Sequence, residues 1–356
     1  MTIKEILAAH AARYPKMEPQ DYGKLVYQSC FGPEHMISSP EQVEKWILEE
    51  WSSLEGKCSP EKPEPIGGGL CRFPLSLLRD ETDAAVLALL FAATARLHTK
   101  RGKDFIDALA KLRQQNVPAM ARWLEEYERS GCPPVGHSEN FRRAYQPHYR
   151  LLKEEYVKFF LVFREVMDCL KQKTPAILAI DGRCGSGKSS LGRMLEEVFS
   201  CALVHMDDYY MPFEKRSQNW MEIPGGNMDL ERFRAEVLEP ARRGKDIRYR
   251  PYSCQKGRIG EERRLPKTSL LIVEGSYSHH PMLREYYDRT IFLTCEKEEQ
   301  VRRLQQREGD YFPRFQQIWM PLEERYFRTF EIEAHADRIL DTGREELVCT
   351  TRLNRP

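Results

Sequence analysis

The run Ala176-Ile-Leu-Ala-Ile-Asp-Gly-Arg-Cys-Gly-Ser-Gly-Lys-Ser-Ser190 constrains this chain more than any other stretch. An apolar strand pattern breaks into a glycine loop and then into a helix pattern carried by Leu191, Met194, Leu195 and Val198. From Gly182 to Ser189 it matches G-x-x-x-x-G-K-S/T, in the strand-to-helix context that the motif requires. Glycines let the backbone turn its N–H groups around phosphate oxygens, and the positive end of the next helix adds to the field there. Gly182, Arg183, Cys184, Gly185, Ser186, Gly187, Lys188, Ser189 and Ser190 are therefore the expected cradle of a nucleoside triphosphate such as ATP. Lys188 would reach the β- and γ-phosphates, and the Ser189 hydroxyl would ligate Mg²⁺. For Cys184 two readings stand: a thiol made acidic by the loop N–H groups and Lys188, or a side chain turned away from the phosphates.

The 356 residues suffice for two domains, each with its own core. Lys plus Arg is 55 against Asp plus Glu 54, a net charge of +1, so no global field steers the chain to nucleic acid or to an anionic membrane. The first ten residues carry Glu5 and read as an amphipathic helix rather than a signal peptide, and no eighteen apolar residues run together. The expectation is a soluble, cytoplasmic protein with a small-molecule substrate; nothing in the sequence sets an oligomeric state. Ten cysteines without a C-x-x-C pair read as reduced, mostly buried thiols.

Two halves follow different patterns. Residues 1–150 predict a mainly helical domain, with apolar spacing of three and four over Ile3–Tyr14, Pro19–Tyr27, Pro40–Leu54, Thr82–Leu97, Phe105–Leu112 and Pro118–Glu128. Pro- and Gly-rich breaks fall at Cys58–Gly69 and Ser130–Gly136. A long amphipathic segment from Leu151 to Lys171 opens the second half, 151–356. There strands at 176–181, 202–206, 269–274, 289–294 and 337–341 alternate with helices at 188–199, 229–242, 281–287, 296–308 and 314–334. That alternation predicts an α/β fold, a parallel sheet flanked by helices with the phosphate loop after its first strand.

Phosphoryl transfer also needs a carboxylate at the acceptor hydroxyl, acidic help for Mg²⁺ and cations on the developing charge. The second strand runs into Asp207-Asp208-Tyr209-Tyr210, which puts a carboxylate beside the loop. The third strand ends in Glu274, placed to meet the metal or its water.

Across residues 175 to 342 the chain resembles the uridine kinase-like members of the P-loop kinase family that contains uridine kinase, phosphoribulokinase and bacterial pantothenate kinase. The resemblance is carried by Ile180 to Ser189, Met206-Asp-Asp-Tyr-Tyr210, Asn227-Met-Asp229, Tyr249-Arg-Pro-Tyr252, Ile272-Val-Glu-Gly275 and Arg302-Arg-Leu-Gln-Gln-Arg307. It implies a P-loop kinase-type sheet, and a kinase that uses ATP and Mg²⁺ on a hydroxyl of a small metabolite, first of all a nucleoside. It implies Asp207 as catalytic base, Glu274 as the Mg²⁺-associated acid, Asp229, Tyr252 and Tyr210 at the acceptor, and Arg302, Arg303 and Arg307 in a lid over the transferred phosphoryl group. The segment after Tyr252, Ser-Cys-Gln-Lys-Gly-Arg258, departs from the base-binding pattern of nucleoside kinases, so a pantothenate-like or sugar-alcohol acceptor stands beside a nucleoside. A regulator that binds nucleotide without metabolite kinase activity is the reading from another class, and Asp207 discriminates, since a binding switch needs no acceptor-facing carboxylate.

No family resemblance is recognised in the amino-terminal half. Its polar clusters are Tyr27–Met36 and Gly136–Arg150. In the second, Arg142, Arg143 and Arg150 could fork an anionic ligand with His137 as proton carrier, or Phe141, Tyr145, Pro147 and Tyr149 could lock the domain to its neighbour.

Overall fold

The computed structural model describes residues 2–33, 39–54, 62–98, 102–115, 117–254 and 256–343, together with the backbone of residues 349–350. The chain divides into two compact units, Met1–Arg164 and Glu165–Pro356.

Helices of the first unit span Ile3–Arg13, Pro19–Phe31, Pro40–Ser52, Glu81–Leu97, Gly102–Leu112, Met120–Arg129 and Glu139–Tyr145. The side chains of Thr2, Ser39, Asp80 and Ser138 accept backbone N–H groups at four of their starts, which fixes where those helices begin. The unit also holds an antiparallel sheet that helical spacing did not announce, with β1 (Glu64–Gly67), β2 (Leu70–Pro74) and β3 (Tyr149–Lys153) in that order. Part of the Cys58–Gly69 break is thus strand. Pro65 and the glycines at 67–69, poor strand formers, hide it, and those glycines form the tight β1–β2 turn. The start of the Leu151–Lys171 segment is strand as well. Pairing of Leu151 and Leu152 with Arg72 and Cys71 overrides its helical spacing, and helix resumes over Glu154–Lys158 and Phe160–Gln172. Residues 151–164 accordingly belong to the first unit.

The second unit is built on the strands β4 (Ala176–Gly182), β5 (Ala202–His205), β6 (Ile247–Tyr249), β7 (Tyr252–Ser253), β8 (Arg258–Ile259), β9 (Arg263–Leu265), β10 (Leu270–Glu274), β11 (Arg289–Thr294), β12 (Arg338–Asp341) and β13 (Cys349–Thr350). Its sheet has the order β13-β12-β11-β4-β10-β5, parallel from β12 to β5, with β13 antiparallel at one edge. All five expected strands are there. The pairs β6–β9 and β7–β8 were too short to show a period. The expected helix at 281–287 is a turn with one 3-10 segment, Arg284–Tyr286, and the helical run beginning at Phe312 breaks at Glu331, whose φ is 48°. The central strand β4 lies between β10 and β11, so the chain leaves it in both directions and opens a crevice at the strands' carboxyl ends. Phe233, Val237 and Leu238 share one buried core with Ile177, Ala179, Val204, Leu271 and Val273 of the sheet. Burying such side chains stabilises by about 1.5–3 kcal/mol each. Among the described residues no helix is long and apolar enough to cross a membrane.

Candidate active site

Strand β4 ends at Gly182, whose φ is 139°; a Cβ there would lie 2.0 Å from the Leu293 carbonyl oxygen of β11, so the strand can pass that close only as glycine. The loop then reaches Gly187, at φ 98° and with open space where a side chain would be, before helix Lys188–Phe199 begins. Three consecutive loop carbonyls are held from outside. Gln300 Nε2 donates to Cys184 O at 2.9 Å, Arg303 Nη1 to Gly185 O at 3.2 Å, and Thr342 Oγ1 to Ser186 O at 2.8 Å. Four N–H groups of the loop are bonded within the protein, Gly182 to Asp181, Arg183 to the Leu293 carbonyl, Cys184 to Glu323 and Ser186 to the Arg183 carbonyl, so the donors left for an anion are those of Gly185 and Gly187 and of the first turn of the helix. Lys188 Nζ donates to the Gly182 and Arg183 carbonyls at 2.6 and 3.2 Å, bonds it can exchange for phosphate oxygens.

The acids come from the neighbouring strands. Glu274 pairs in register with Ile180 of β4 and with His205 of β5, which sets its carboxylate at the sheet edge beside the loop. It accepts the Ser189 hydroxyl at 3.1 and 3.2 Å and is bonded to His205 Nδ1. That hydrogen bond to the Glu274 carboxylate raises the His205 pKa. Two converging hard oxygen ligands, Ser189 and Glu274, fit a Mg²⁺ held mainly by phosphate and water.

The two adjacent aspartates differ sharply. Asp208 accepts from Arg263 Nη1 at 2.7 Å and from the Tyr249 hydroxyl at 3.0 Å. Asp207 has no ion pair among the described residues and takes a hydrogen bond from Tyr210. Asp207 is exposed to solvent. Desolvation by the surrounding protein, then the Glu274 charge, pushes its pKa up, while Lys188 and His205 pull it back.

A central strand ending in the glycine loop, with acids at the ends of β5 and β10 facing it, decides the architecture. The second unit is a parallel α/β sheet with a P-loop after its central strand.

No protein-family model matches the sequence, and no curated protein matches it. Among solved structures the chain is similar to a "possible uridine kinase" from Bacillus stearothermophilus, at 19% identity over 49% of this chain and 98% of that one, TM-score 0.38. It is similar also to a D-glycerate 3-kinase from Cryptococcus neoformans var. grubii, at 15% identity over 51% and 94%, TM-score 0.38. A gluconokinase from Sinorhizobium meliloti matches at 19% identity over 48% and 85%, TM-score 0.28.

In the second unit the residues expected at the acceptor gather around one turn. Tyr210 bridges Met228, and Asp229 N–H donates to Tyr209 O, which ties two of the sequence motifs together. The Asp229 carboxylate caps its own helix by accepting Arg232 N–H at 3.3 Å. Tyr252 is buried in the β7–β8 pair, which packs against the turn Met206–Tyr209. The Tyr210, Trp319 and Trp220 rings follow one another at 6.2 and 6.5 Å. The arginines separate: Arg302 pairs with Glu299, Arg307 pairs with Glu308 above the Phe315 ring, and Arg303 alone reaches the loop, from behind, through Gly185 O and Thr342. Ser190 is exposed on the helix. Arg183 is committed to Glu324 and Thr294, pointing away from the cradle's concavity.

Cys184 is not the activated thiol that one reading allowed. It is buried with Leu304 and Phe312, and burial first, then Glu323, pushes its pKa far up. Sequence reasoning missed three supports. His205 stood one residue outside the acidic motif. The fully buried Asp181 accepts from Gly182 N, His279 N and the Tyr326 hydroxyl, and Glu323 accepts from Cys184 N at 2.9 Å. Asp181 was visible inside the motif; nothing local marks Glu323, which comes from a helix far along the chain.

Proposed function

We propose that the chain is an ATP- and Mg²⁺-dependent phosphotransferase acting on a hydroxyl of a small metabolite. The observation that carries this is Asp207, a carboxylate without an ion pair among the described residues, beside Lys188 and Glu274, while its neighbour Asp208 is held by Arg263 and Tyr249. A nucleotide switch would have no use for it.

Asp207 would accept the proton of the acceptor hydroxyl as that oxygen attacks the γ-phosphorus. The bond from γ-phosphorus to the bridging oxygen breaks, ADP leaves, and the proton passes from Asp207 to solvent. A raised pKa brings Asp207 nearer the pH at which it works. Lys188 would follow the charge on the transferred group. Ser189 and Glu274 would hold Mg²⁺, which supplies charge neutralisation when bound.

For the acceptor we propose a nucleoside first, with Asp229 and Tyr252 beside it. One observation favours the pantothenate-like alternative, an alcohol that also carries an acidic group. Arg216 lies over the Phe213 and Trp220 rings with no carboxylate partner among the described residues, and the Cys254 thiol feels both its charge and that of Asp207. A metabolite pool incubated with labelled ATP, with mass-spectrometric identification of the product, tests both. Acceptor-independent turnover only, or equal product from Asp207→Asn, would refute the kinase reading.

A further inference from the structure

The amino-terminal unit holds a cavity of about 330 Å³ whose lining includes Lys24, His137, Arg142, Gln146 and His148. Its walls present donors and cations but no carboxylate. Lys24 rises from helix Pro19–Phe31, and Nζ has one neutral partner, the Val135 carbonyl oxygen at 3.3 Å. Arg142 makes no ion pair among the described residues. Its guanidinium lies against bare backbone: a Cβ on Gly136 would stand 2.5 Å from Nη2.

Every carboxylate nearby is already engaged. Asp21 accepts from His137 Nδ1, from Ser138 N and Oγ, and from Glu18 N. Glu64 is shared by Arg72, Arg13 and His10. Glu50 takes His148 and Arg150, and Glu139 takes Arg143. Of the three arginines that the sequence offered as forks, only Arg142 therefore keeps its charge uncompensated. His137 is no proton carrier here. Both ring nitrogens are engaged, Nδ1 by Asp21 and Nε2 by the Tyr149 hydroxyl at 2.7 Å, and burial above all pushes its pKa down to about 4. It is a neutral wall that fixes the cavity's shape. Glu34, His35 and Met36 of the other polar cluster lie outside the described residues.

Lys24 is half-buried and stands beside the exposed Arg142 guanidinium, with no carboxylate in the cavity lining, so desolvation and like-charge repulsion weigh on the ammonium in a way that an anion in the cavity would relieve. The cost is visible at Lys24, whose pKa falls to about 8 through burial and then through the charges of Arg72 and Arg142. We propose that this cavity binds the phosphate group of a small anion, with Lys24 as point charge and Arg142 as two-pronged donor. A planar fork beside three ammonium donors matches a tetrahedral dianion, and 330 Å³ leaves room for a carbon skeleton on the phosphate. The inference is independent of the phosphotransferase reading.

The test is calorimetric titration of the full chain carrying Lys188→Ala, which weakens phosphate binding at the P-loop. Inorganic phosphate should bind there at one site. Arg142→Gln and Lys24→Met should each weaken it about tenfold or more, as expected for loss of a charge-assisted hydrogen bond. Arg143→Gln, next in sequence but paired with Glu139, should leave it unchanged. Arg142 is exposed, so its variant folds even if Lys24→Met does not. Glycerol phosphate binding more tightly than inorganic phosphate assigns the site to a phosphorylated metabolite, and equal affinity assigns it to the free ion; either supports the proposal. Unchanged affinity in Arg142→Gln, no saturable binding at millimolar phosphate, or malonate binding as tightly as phosphate would overturn it.

Discussion

The Arg263 guanidinium holds Asp208 at 2.7 Å, and the Tyr249 hydroxyl holds the same oxygen at 3.0 Å. One strand pair, β6–β9, thereby engages one of two adjacent aspartates and leaves the other exposed, and on the proposed function only the exposed one serves the chemistry. Asp207→Asn should lower turnover roughly a hundredfold or more with little change in nucleotide affinity. Asp208→Asn should instead lower thermal stability modestly and turnover much less. Steady-state kinetics and melting curves on both variants check this, and a larger kinetic loss at Asp208 would reverse the assignment.

Arg303 separates positioning from chemistry. It touches the loop through Gly185 O and ties it to Thr342, on the outward side of the carbonyls. Arg303→Met should raise the KM for ATP about tenfold through a looser cradle, with kcat at saturating nucleotide changed far less. Lys188→Ala should abolish transfer at any ATP concentration while circular dichroism stays that of the parent, because Lys188 bonds loop carbonyls and fills no core. A collapse of kcat in Arg303→Met would place that guanidinium on the transferred group after all.

Much of the second unit was legible because its signals are local. Ile177 to Ile180 form an apolar run, the glycines punctuate it, and Leu191, Met194, Leu195 and Val198 show the helix period. Hidden parts depend on pairing or on distance in sequence. β3 carries a spacing that serves a helix equally well, and only its β2 partner makes it a strand. Gln300, Arg303 and Thr342 hold the loop carbonyls from more than a hundred residues away, where no spacing rule reaches. Arg303 looked like a lid cation because a basic run on a helix says nothing about which face meets solvent.

Buried neutral histidines give the amino-terminal unit a definite acid response. His137 is pushed down to about 4 by burial, and His10 is also lowered by burial. Between an unfolded value near 6.5 and a folded value near 4, the unfolded chain binds more protons, so stability is complete above about pH 6.5 and declines as pH falls toward 4. Asp21, lowered by its His137 and Ser138 hydrogen bonds against the opposing effect of burial, adds its own loss only below the ordinary aspartate range. Melting temperature should fall steadily from pH 7 to pH 4, and His137→Gln should flatten that slope while starting from a lower value. A parent slope retained in the variant would move the effect to other histidines, His280 among them, whose pKa is likewise about 4.

Thiol labelling separates two cysteines of the second unit, Cys184 and Cys254. Cys184 lies inside the loop but is buried against Leu304, with Gln300 Nε2 at 3.4 Å from Sγ and its pKa pushed far up. Cys254 is exposed beside the acceptor turn, its pKa raised by desolvation and by the Asp207 charge. The thiolate is the reacting species, so neither is fast, but only Cys254 is reachable. Iodoacetamide at pH 8 should alkylate Cys254 first, with Cys184 unmodified until the fold opens, as read by peptide mass spectrometry. ATP should therefore protect little against inactivation at Cys184, whereas a bound acceptor should slow modification of Cys254, since that thiol shares the field of Asp207 and Arg216 where the acceptor is proposed to stand. Early modification of Cys184, blocked by ATP, would mean that the loop turns its thiol toward the phosphates.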